Sequence, residues 1–207
     1  MIENINEHIK SYHNKGTIVV KNNCITNPLT EDDIRKLDLC CKEVEKEYVS
    51  IGDAGEKNNL LVGRFMTDEE RPLIVKNPYS NKVINILKNE RITNFIKKII
   101  NINEDTFLRR IQFNQIDKEC FVGYHLDTDS NPNYLTAGVI QLGKNYDGGL
   151  YRVYQKDKSF YDYKTSYGDL ILSNCNYPHE VTKVLRGERK SLVFFISTYN
   201  GENKRNK

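Results

Sequence analysis

The most pointed chemistry in this sequence lies in two histidines and an aspartate. His125-Leu126-Asp127 sets a His and an Asp two positions apart, and His179 follows at a distance. On a strand, side chains alternate with period two, so His125 and Asp127 are expected on one face. With His179 from another strand, three ligands would stand on one side of a divalent metal. Two imidazoles and one carboxylate with open positions opposite suit non-haem Fe(II). Taken alone, a His-x-Asp is more often a satisfied ion pair. His8 and His13 lie in a polar N-terminal segment and read as solvated surface residues.

Past His179, the turn Gly187-Glu188 leads to Arg189, with Ser191 two residues on and on the same face. A guanidinium offers a planar two-pronged fork that matches a carboxylate as lysine does not. Beside the apolar run 192–196 such a charge is costly without an anion, and a dicarboxylate co-substrate would supply one. In the plain alternative, Arg189 opens a hairpin in solvent. Gln141, polar within the apolar run 137–142, either supplies a hydrogen bond to the site or faces solvent.

The elements that must position these residues fall in two halves. Short strands are expected over 106–116, 121–127, 135–142, 150–154, 161–164, 169–172, 180–185 and 189–198. Gly148-Gly149, Tyr167-Gly168-Asp169 and Gly187-Glu188 supply the turns. Such strands after a helical support make an α+β chain built on a double-stranded β-helix, or jelly roll. In the first half a strand is expected over 17–21. Thr30-Glu31-Asp32-Asp33 then opens a helix, with a Thr cap and acids in the first turn. Ile34, Leu37, Leu39 and Val44 would form its apolar face. Helical spacing returns at Val83, Ile84 and Leu87, and again at Ile92, Phe95, Ile96, Ile99 and Ile100. Residues 52–78 read as mostly irregular, with one strand over 60–64, and as a lid; Arg64 and Arg71 there read as surface residues, with contact to an anionic substrate group as the alternative. Residues 1–104 are thus a helical support and lid within the same domain, 105–200 the catalytic core, and 201–207 a flexible tail.

The 207 residues suffice for one domain with a sizeable core, and 29% charged with 38% hydrophobic residues is ordinary for a soluble protein. A net charge of +3, with Lys and Arg scattered, argues against a nucleic-acid partner. Cys24, Cys40, Cys41, Cys120 and Cys175 form an odd set without CxxC spacing, which suits a reducing cytosol. The N-terminus lacks the order of a signal peptide, and no apolar run approaches the roughly 18 residues of a membrane span. A cytoplasmic protein without membrane partners is expected; the oligomeric state is not encoded legibly.

With His125-Leu126-Asp127, His179 and Arg189 in this order, the chain resembles the Fe(II)/2-oxoglutarate dioxygenases, and more narrowly their prolyl-hydroxylase-like branch. Further stretches match as they stand: Phe113-Asn114, Phe121 to Asp127 as the metal-binding strand, Tyr146-Asp147-Gly148-Gly149, Gly168 to Leu172 before the distal His, and His179 to Thr182 running into Gly187 to Ser191. The resemblance covers about residues 105 to 200. It implies that His125, Asp127 and His179 hold Fe(II), and that Arg189 pairs with the distal carboxylate of 2-oxoglutarate. Asn114 and Ser191 are its implied hydrogen-bonding partners, and Gln141, read from its polar place in an apolar run, either adds a hydrogen bond or faces solvent. O2 is the implied oxidant, and ascorbate a further candidate cofactor. The implied reaction hydroxylates a C–H bond of an amino-acid or peptidyl side chain, or of another small metabolite, releasing succinate and CO2. Relatives that halogenate replace the carboxylate at the position of Asp127, so its presence points to hydroxylation.

Two departures stand out. Relatives usually carry a Tyr where this chain has Ile116, and an acid with a Leu where it has Leu150-Tyr151. The first leaves room for a jelly-roll binding protein without turnover. Asp129 faintly resembles the nucleic-acid demethylating branch, but the arginines of that branch are missing, Ile196 standing at one such position. The tyrosines Tyr151, Tyr154, Tyr161, Tyr163 and Tyr167 read as core packing and rim.

Overall fold

The computed structural model describes residues 4–205. Its first half runs α1 (Ile5–Lys15), β1 (Thr17–Val20), α2 (Glu31–Glu43), β2 (Glu47–Ile51), β3 (Lys57–Asp68), β4 (Pro72–Ile74), α3 (Ser80–Leu87) and α4 (Glu90–Ile100). The second half is β5 (Phe107–Ile116), β6 (Phe121–His125), α5 (Asp127–Ser130), β7 (Thr136–Gln141), β8 (Asp147–Gly148), β9 (Tyr151–Tyr154), β10 (Phe160–Tyr163), β11 (Leu170–Asn174), β12 (His179–Val181), β13 (Val184–Arg186) and β14 (Arg189–Ser197).

The strands pair antiparallel in the order β1-β11-β7-β14-β5-β3-β6-β12-β9-β10. The bend lies in β3, whose first residues pair with β6 (Asn58 with Val122) and whose later ones pair with β5 (Leu61 to Met66). One strand thus joins two faces of a nearly closed double-stranded β-helix, with the expected helical support behind one of them.

Alternation divides the core in two. Leu192, Phe194 and Ile196 of β14 join Ile111 and Phe113 of β5 and the apolar stripes of the helices, including Ile34, Leu37, Val83, Leu87, Phe95, Ile96 and Ile99. Burying each such side chain contributes about 1.5–3 kcal/mol. The opposite face of the strands encloses Leu60, Val62, Ile116, Val122, Val139, Tyr151 and Val181 inside the barrel. The helix ends follow local chemistry. Asp33 N–H donates to Thr30 Oγ1 at 3.1 Å while Thr30 N–H donates to the Asp33 carboxylate at 3.0 Å, a closed capping box. Asn89 caps α4 at one end, and Asn101 adopts the left-handed conformation at the other.

Several expectations need correction. α1 is a helix where the sequence read only as polar, capped by Asn4 and ended by Gly16. His8 is consequently buried, with Nε2 at 3.2 Å from Thr26 Oγ1, whereas His13 is exposed. On α2, Leu39 is 47% exposed, and Cys40 and Cys41 take the buried positions. Residues 52–78 are largely ordered as strands: β3 alone spans 12 residues and forms a hairpin with β2. The segment 201–205, expected as a free tail, is tied down, since Arg109 Nη1 donates to the Tyr199 and Gly201 carbonyls, both at 2.8 Å. Asn203 Nδ2 donates to the Asp68 carbonyl at 2.8 Å. Residues 206–207 of that expectation lie outside the described ones. Among the described residues no helix is long and apolar enough to cross a membrane.

Candidate metal centre and its cavity

His125 and His179 are direct cross-strand partners on β6 and β12. Directly opposed residues project to the same side, so the pairing alone brings the two imidazoles together, with ring centroids 4.3 Å apart. A register irregularity between β6 and β12 resets the alternation, so that both Val122 and His125 line the cavity. Asp127 is not on that strand, as the simple two-residue spacing implied. Leu126 is extended (φ −109°, ψ 131°), and Asp127 opens the short helix α5. The carboxylate nevertheless turns to the same side. Its Oδ1 lies 3.5 Å from His125 Nε2, and its Oδ2 lies 3.7 Å from His179 Nε2. One ligand atom from each residue falls within 4.8 Å of the others.

Backbone carbonyls orient both rings. His125 Nδ1 lies 2.8 Å from the Gly123 carbonyl, and His179 Nδ1 lies 3.1 Å from that of Tyr177. An Nδ1–H donated in this way leaves the Nε2 lone pair for a metal. Burial by itself lowers the His125 pKa, but the adjoining Asp127 carboxylate, with Glu56 and the Gly123 carbonyl, outweighs it and raises the value to about 9. His179, wholly buried and beside His125, is lowered to about 4. Burial raises the Asp127 carboxyl, yet the two imidazoles more than offset this and hold it below its ordinary value. Without a metal, the trio is thus an anionic carboxylate beside one cationic imidazole, His125, and one neutral imidazole, His179.

The facing wall follows from register. Arg189 pairs with Ile116, and Gln141, Ser191, Asn114 and Val62 form one row across four strands. The next inward row is Val139, Val193, Gln112 and Arg64, and beyond it come Ala137, Phe195 and Arg110. From Arg189 to Phe195 along β14 this wall extends roughly 20 Å at the usual rise per residue. It encloses, with the metal-site strands, an empty volume of about 820 Å³ that includes its mouth.

Arg189 stands at the inner end, 1% exposed. Its Nη1 donates to Ser191 Oγ at 3.2 Å, while among the described residues Nε and Nη2 have no hydrogen-bond partner. Burial pulls the guanidinium below its ordinary pKa. Gly149 makes room for it: φ is +55° there, and a Cβ would meet Arg189 Cδ at 3.0 Å. Asp127 Oδ2 is likewise buried without a hydrogen-bond partner. A carboxylate oxygen waiting for a cation and a guanidinium waiting for an anion therefore line one cavity. Those two orphans fit a metal ion and a carboxylate-bearing co-substrate.

Of the remaining expected residues, Asn114 and Ser191 line the cavity. Asn114 Oδ1 accepts from Gln112 Nε2 at 2.7 Å. Gln141 is buried in the same row but outside the cavity wall. Its Nε2 donates to the Lys190 carbonyl at 2.9 Å, and its Oε1 accepts from Thr165 Oγ1 at 3.2 Å. Arg64 lines the cavity and pairs with Glu47 at 2.6 Å, whereas Arg71 lies outside it. Sequence reasoning missed Tyr151. It lies on β9, belongs to the same barrel cluster as Ile116 and has its ring 5.2 Å from that of His179. Its buried hydroxyl has no partner among the described residues. Burial and the nearby Asp127 charge hold this phenol well above its ordinary pKa, so it remains a donor. The signal was present in Leu150-Tyr151, the departure after the Gly-Gly turn.

Behind the metal site lies a second polar cluster. Arg109 and Asp68 form a fully buried two-pronged pair at 2.9 and 3.1 Å. Asp68 Oδ2 also accepts from Asn131 Nδ2 at 2.8 Å, and Asn131 N–H donates to the Asp127 carbonyl at 3.2 Å. The chain thereby anchors the turn that carries the Asp127 carboxylate.

Comparison with known proteins agrees with this geometry. The sequence profile of the 2OG-Fe(II) oxygenase superfamily matches residues 111–197. A solved oxidoreductase of the 2OG-Fe(II) oxygenase family from Burkholderia pseudomallei is 30% identical with a TM-score of 0.89, over 99% of this chain and 95% of that one. A prolyl-4-hydroxylase from Pseudomonas putida is 17% identical at a TM-score of 0.65, over 94% and 98% of the two chains. A non-heme alpha ketoglutarate dependent epimerase from nogalamycin biosynthesis is 8% identical at 0.71, over 93% and 80%. At those two identities the likeness is one of fold. No curated protein matches the chain in sequence.

Proposed function

Since the chain belongs to the 2OG-Fe(II) oxygenase superfamily, we propose that it is an Fe(II)- and 2-oxoglutarate-dependent hydroxylase acting on a C–H bond of an amino-acid or peptidyl side chain or another small metabolite. The observation that carries this reading is the pair of complementary orphans, Asp127 Oδ2 within the His125–Asp127–His179 cluster and the Arg189 guanidinium at the end of the same cavity. His125 Nε2, Asp127 and His179 Nε2 would hold the metal, an arrangement of two imidazoles and a carboxylate that suits Fe(II). When bound, Fe(II) and 2-oxoglutarate supply, with O2, the oxidising chemistry that releases succinate and CO2.

The chain's own residues then orient and exclude. Gly123 and Tyr177 carbonyls fix the imidazole tautomers, and Asn131 steadies the turn bearing Asp127. Arg189 would pair with the distal carboxylate of 2-oxoglutarate, with Ser191 beside it. The Tyr151 hydroxyl would give that co-substrate the phenolic donor that Ile116 lacks, and Asn114 a further polar contact. Val62, Val139, Val181 and Val193 line the same cavity with apolar surface and limit water near the reacting centre.

The test is conversion of 2-oxoglutarate to succinate by the purified protein. It should require Fe(II), and it should be lost in Asp127→Ala and in Arg189→Met. Mass analysis of the substrate distinguishes hydroxylation, which adds one oxygen atom, from epimerisation, which adds none. Succinate formation that survives Asp127→Ala would refute the reading.

A further inference from the structure

The cavity has an outer half that the metal and co-substrate do not account for. It is rimmed by the β2–β3 hairpin and the outer ends of β5 and β14, and its charges are matched with one exception. Arg110 pairs with Asp53 at 2.5 Å, and Arg64 with Glu47 at 2.6 Å. Glu56, in the same wall, has no lysine or arginine partner among the described residues and no ion pair within 4 Å, its nearest cationic influence being His125 of the metal-free site. Its Oε1 accepts from Asn58 Nδ2 at 2.8 Å, while its Oε2 is closed off from solvent and accepts no hydrogen bond.

Two features hold that carboxylate in place. Asn58, 8% exposed, uses its Oδ1 to accept from Gly123 N–H at 3.2 Å, on the strand that carries His125. Glu56 and the metal-site strand are therefore joined through one side chain. At Gly52, a Cβ would lie 1.7 Å from Glu56 Oε1, so the turn depends on a glycine to let the carboxylate fold back over it. Glu56 is also outside the group of ligand atoms that gather at the metal position. A buried, oriented carboxylate oxygen with no donor is costly, and its partner is expected from outside the chain. An anionic substrate group, by contrast, would find both outer arginines already paired.

We propose that Glu56 is a specificity-determining residue: its Oε2 accepts a charge-assisted hydrogen bond from a protonated nitrogen of the substrate, so that the site selects ammonium- or guanidinium-bearing substrates. The proposal rests on the reading of the site as a metal- and 2-oxoglutarate-binding one, and names the substrate class for it. The nitrogen docks on Glu56 at the hairpin wall, and the C–H bond to be oxidised lies toward His125.

The test uses n-butylammonium, n-butylguanidinium and the neutral n-butanol as probes, titrated into the full chain and followed by amide chemical shifts of the cavity wall. Each titration is done on Zn(II)- and 2-oxoglutarate-loaded protein and repeated on the metal-free protein. The cations should bind about tenfold or more tighter than n-butanol in both forms, the range a charged hydrogen bond supplies. Glu56→Gln should abolish that preference. Gly52→Ala should abolish it too, because the new methyl displaces the carboxylate without removing its charge. Equal binding of cation and alcohol by the unmodified chain, or a preference that survives both substitutions, overturns the proposal. Failure of the chain to bind Zn(II) and 2-oxoglutarate in calorimetry would instead overturn the functional reading, and the metal-free titrations still decide the role of Glu56.

Discussion

Replacing Arg189 with methionine should make the ligand-free protein more stable, against the usual direction for a buried residue. The guanidinium is 1% exposed, and of its three nitrogens Nη1 alone has a partner, Ser191 Oγ. An ion taken out of water without a counter-ion costs several kcal/mol even after relaxation, and replacing buried ionic groups by apolar ones of similar volume often stabilises by about 1–4 kcal/mol. Methionine is shorter and leaves some space, and Ser191 loses a donor worth about 1 kcal/mol. The net expectation is about 1–3 kcal/mol, or roughly 2–12 °C in Tm for a chain of this size. 2-Oxoglutarate should stabilise the unmodified protein and leave the variant unchanged. At a hundred times its Kd it adds about 2.7 kcal/mol to the unmodified, Zn(II)-loaded chain, a rise of roughly 5–11 °C, and it should add nothing to Arg189→Met. Thermal unfolding of both proteins, with and without the co-substrate, reads all four values. A ligand-free variant less stable than its parent would show that the guanidinium is compensated where it sits. A variant that keeps the co-substrate shift would show that Arg189 does not hold the carboxylate.

Three further outcomes follow from other parts of the cavity. Tyr151→Phe should weaken 2-oxoglutarate binding about 2–13-fold, the range of one neutral hydrogen bond, without changing Zn(II) affinity in calorimetry; an unchanged co-substrate affinity would remove Tyr151 from the site. Asp68→Asn breaks the buried pair with Arg109 and should cost about 3–5 kcal/mol in urea unfolding, and a loss below about 1 kcal/mol would contradict the pair's isolation from solvent. Metal uptake should release a proton. His125, raised to about 9 in the metal-free site, is protonated at neutral pH and must lose that proton to bind, so Zn(II) affinity should climb with pH up to about 9 and fall away below it. An affinity independent of pH between about 6.5 and 9 would refute a protonated His125 in the metal-free site.

Much of the site was legible because the strand period and chain order carry it. Alternation placed Arg189 with Ser191 on one face, and the structure puts both in the cavity wall; it also placed His125 with Asp127, which do share the cavity, though Asp127 reaches it from the start of α5 and not from the strand. The apolar spacing of α4 and the Thr30 cap of α2 announced their helices for equally local reasons. What escaped was whatever depends on phase or on neighbours distant in sequence. Of β3, which spans Lys57–Asp68, only 60–64 read as a strand, since Asn58 and Arg64, which project inward with Leu60 and Val62, are polar and obscure its alternation. The cause of that polarity is the cavity itself. α1 escaped for the opposite reason: His8 and Tyr12 are its buried residues, too few to mark an apolar stripe.

The exchange of Ile116 for Tyr151 shows why residue types along one strand underdetermine a binding site. Ile116 pairs with Arg189 in register and lies in the barrel interior, so a tyrosine there would reach the same space. On β9, across the barrel, Tyr151 enters that space from the other side, its hydroxyl left without a partner. A buried hydroxyl without a partner is unfavourable in the empty cavity, and that cost is removed only when an acceptor arrives. If Tyr151 donates to the co-substrate as proposed, its place on β9 compensates for Ile116 on β5, and the departure that left room for a binding protein without turnover no longer argues against catalysis.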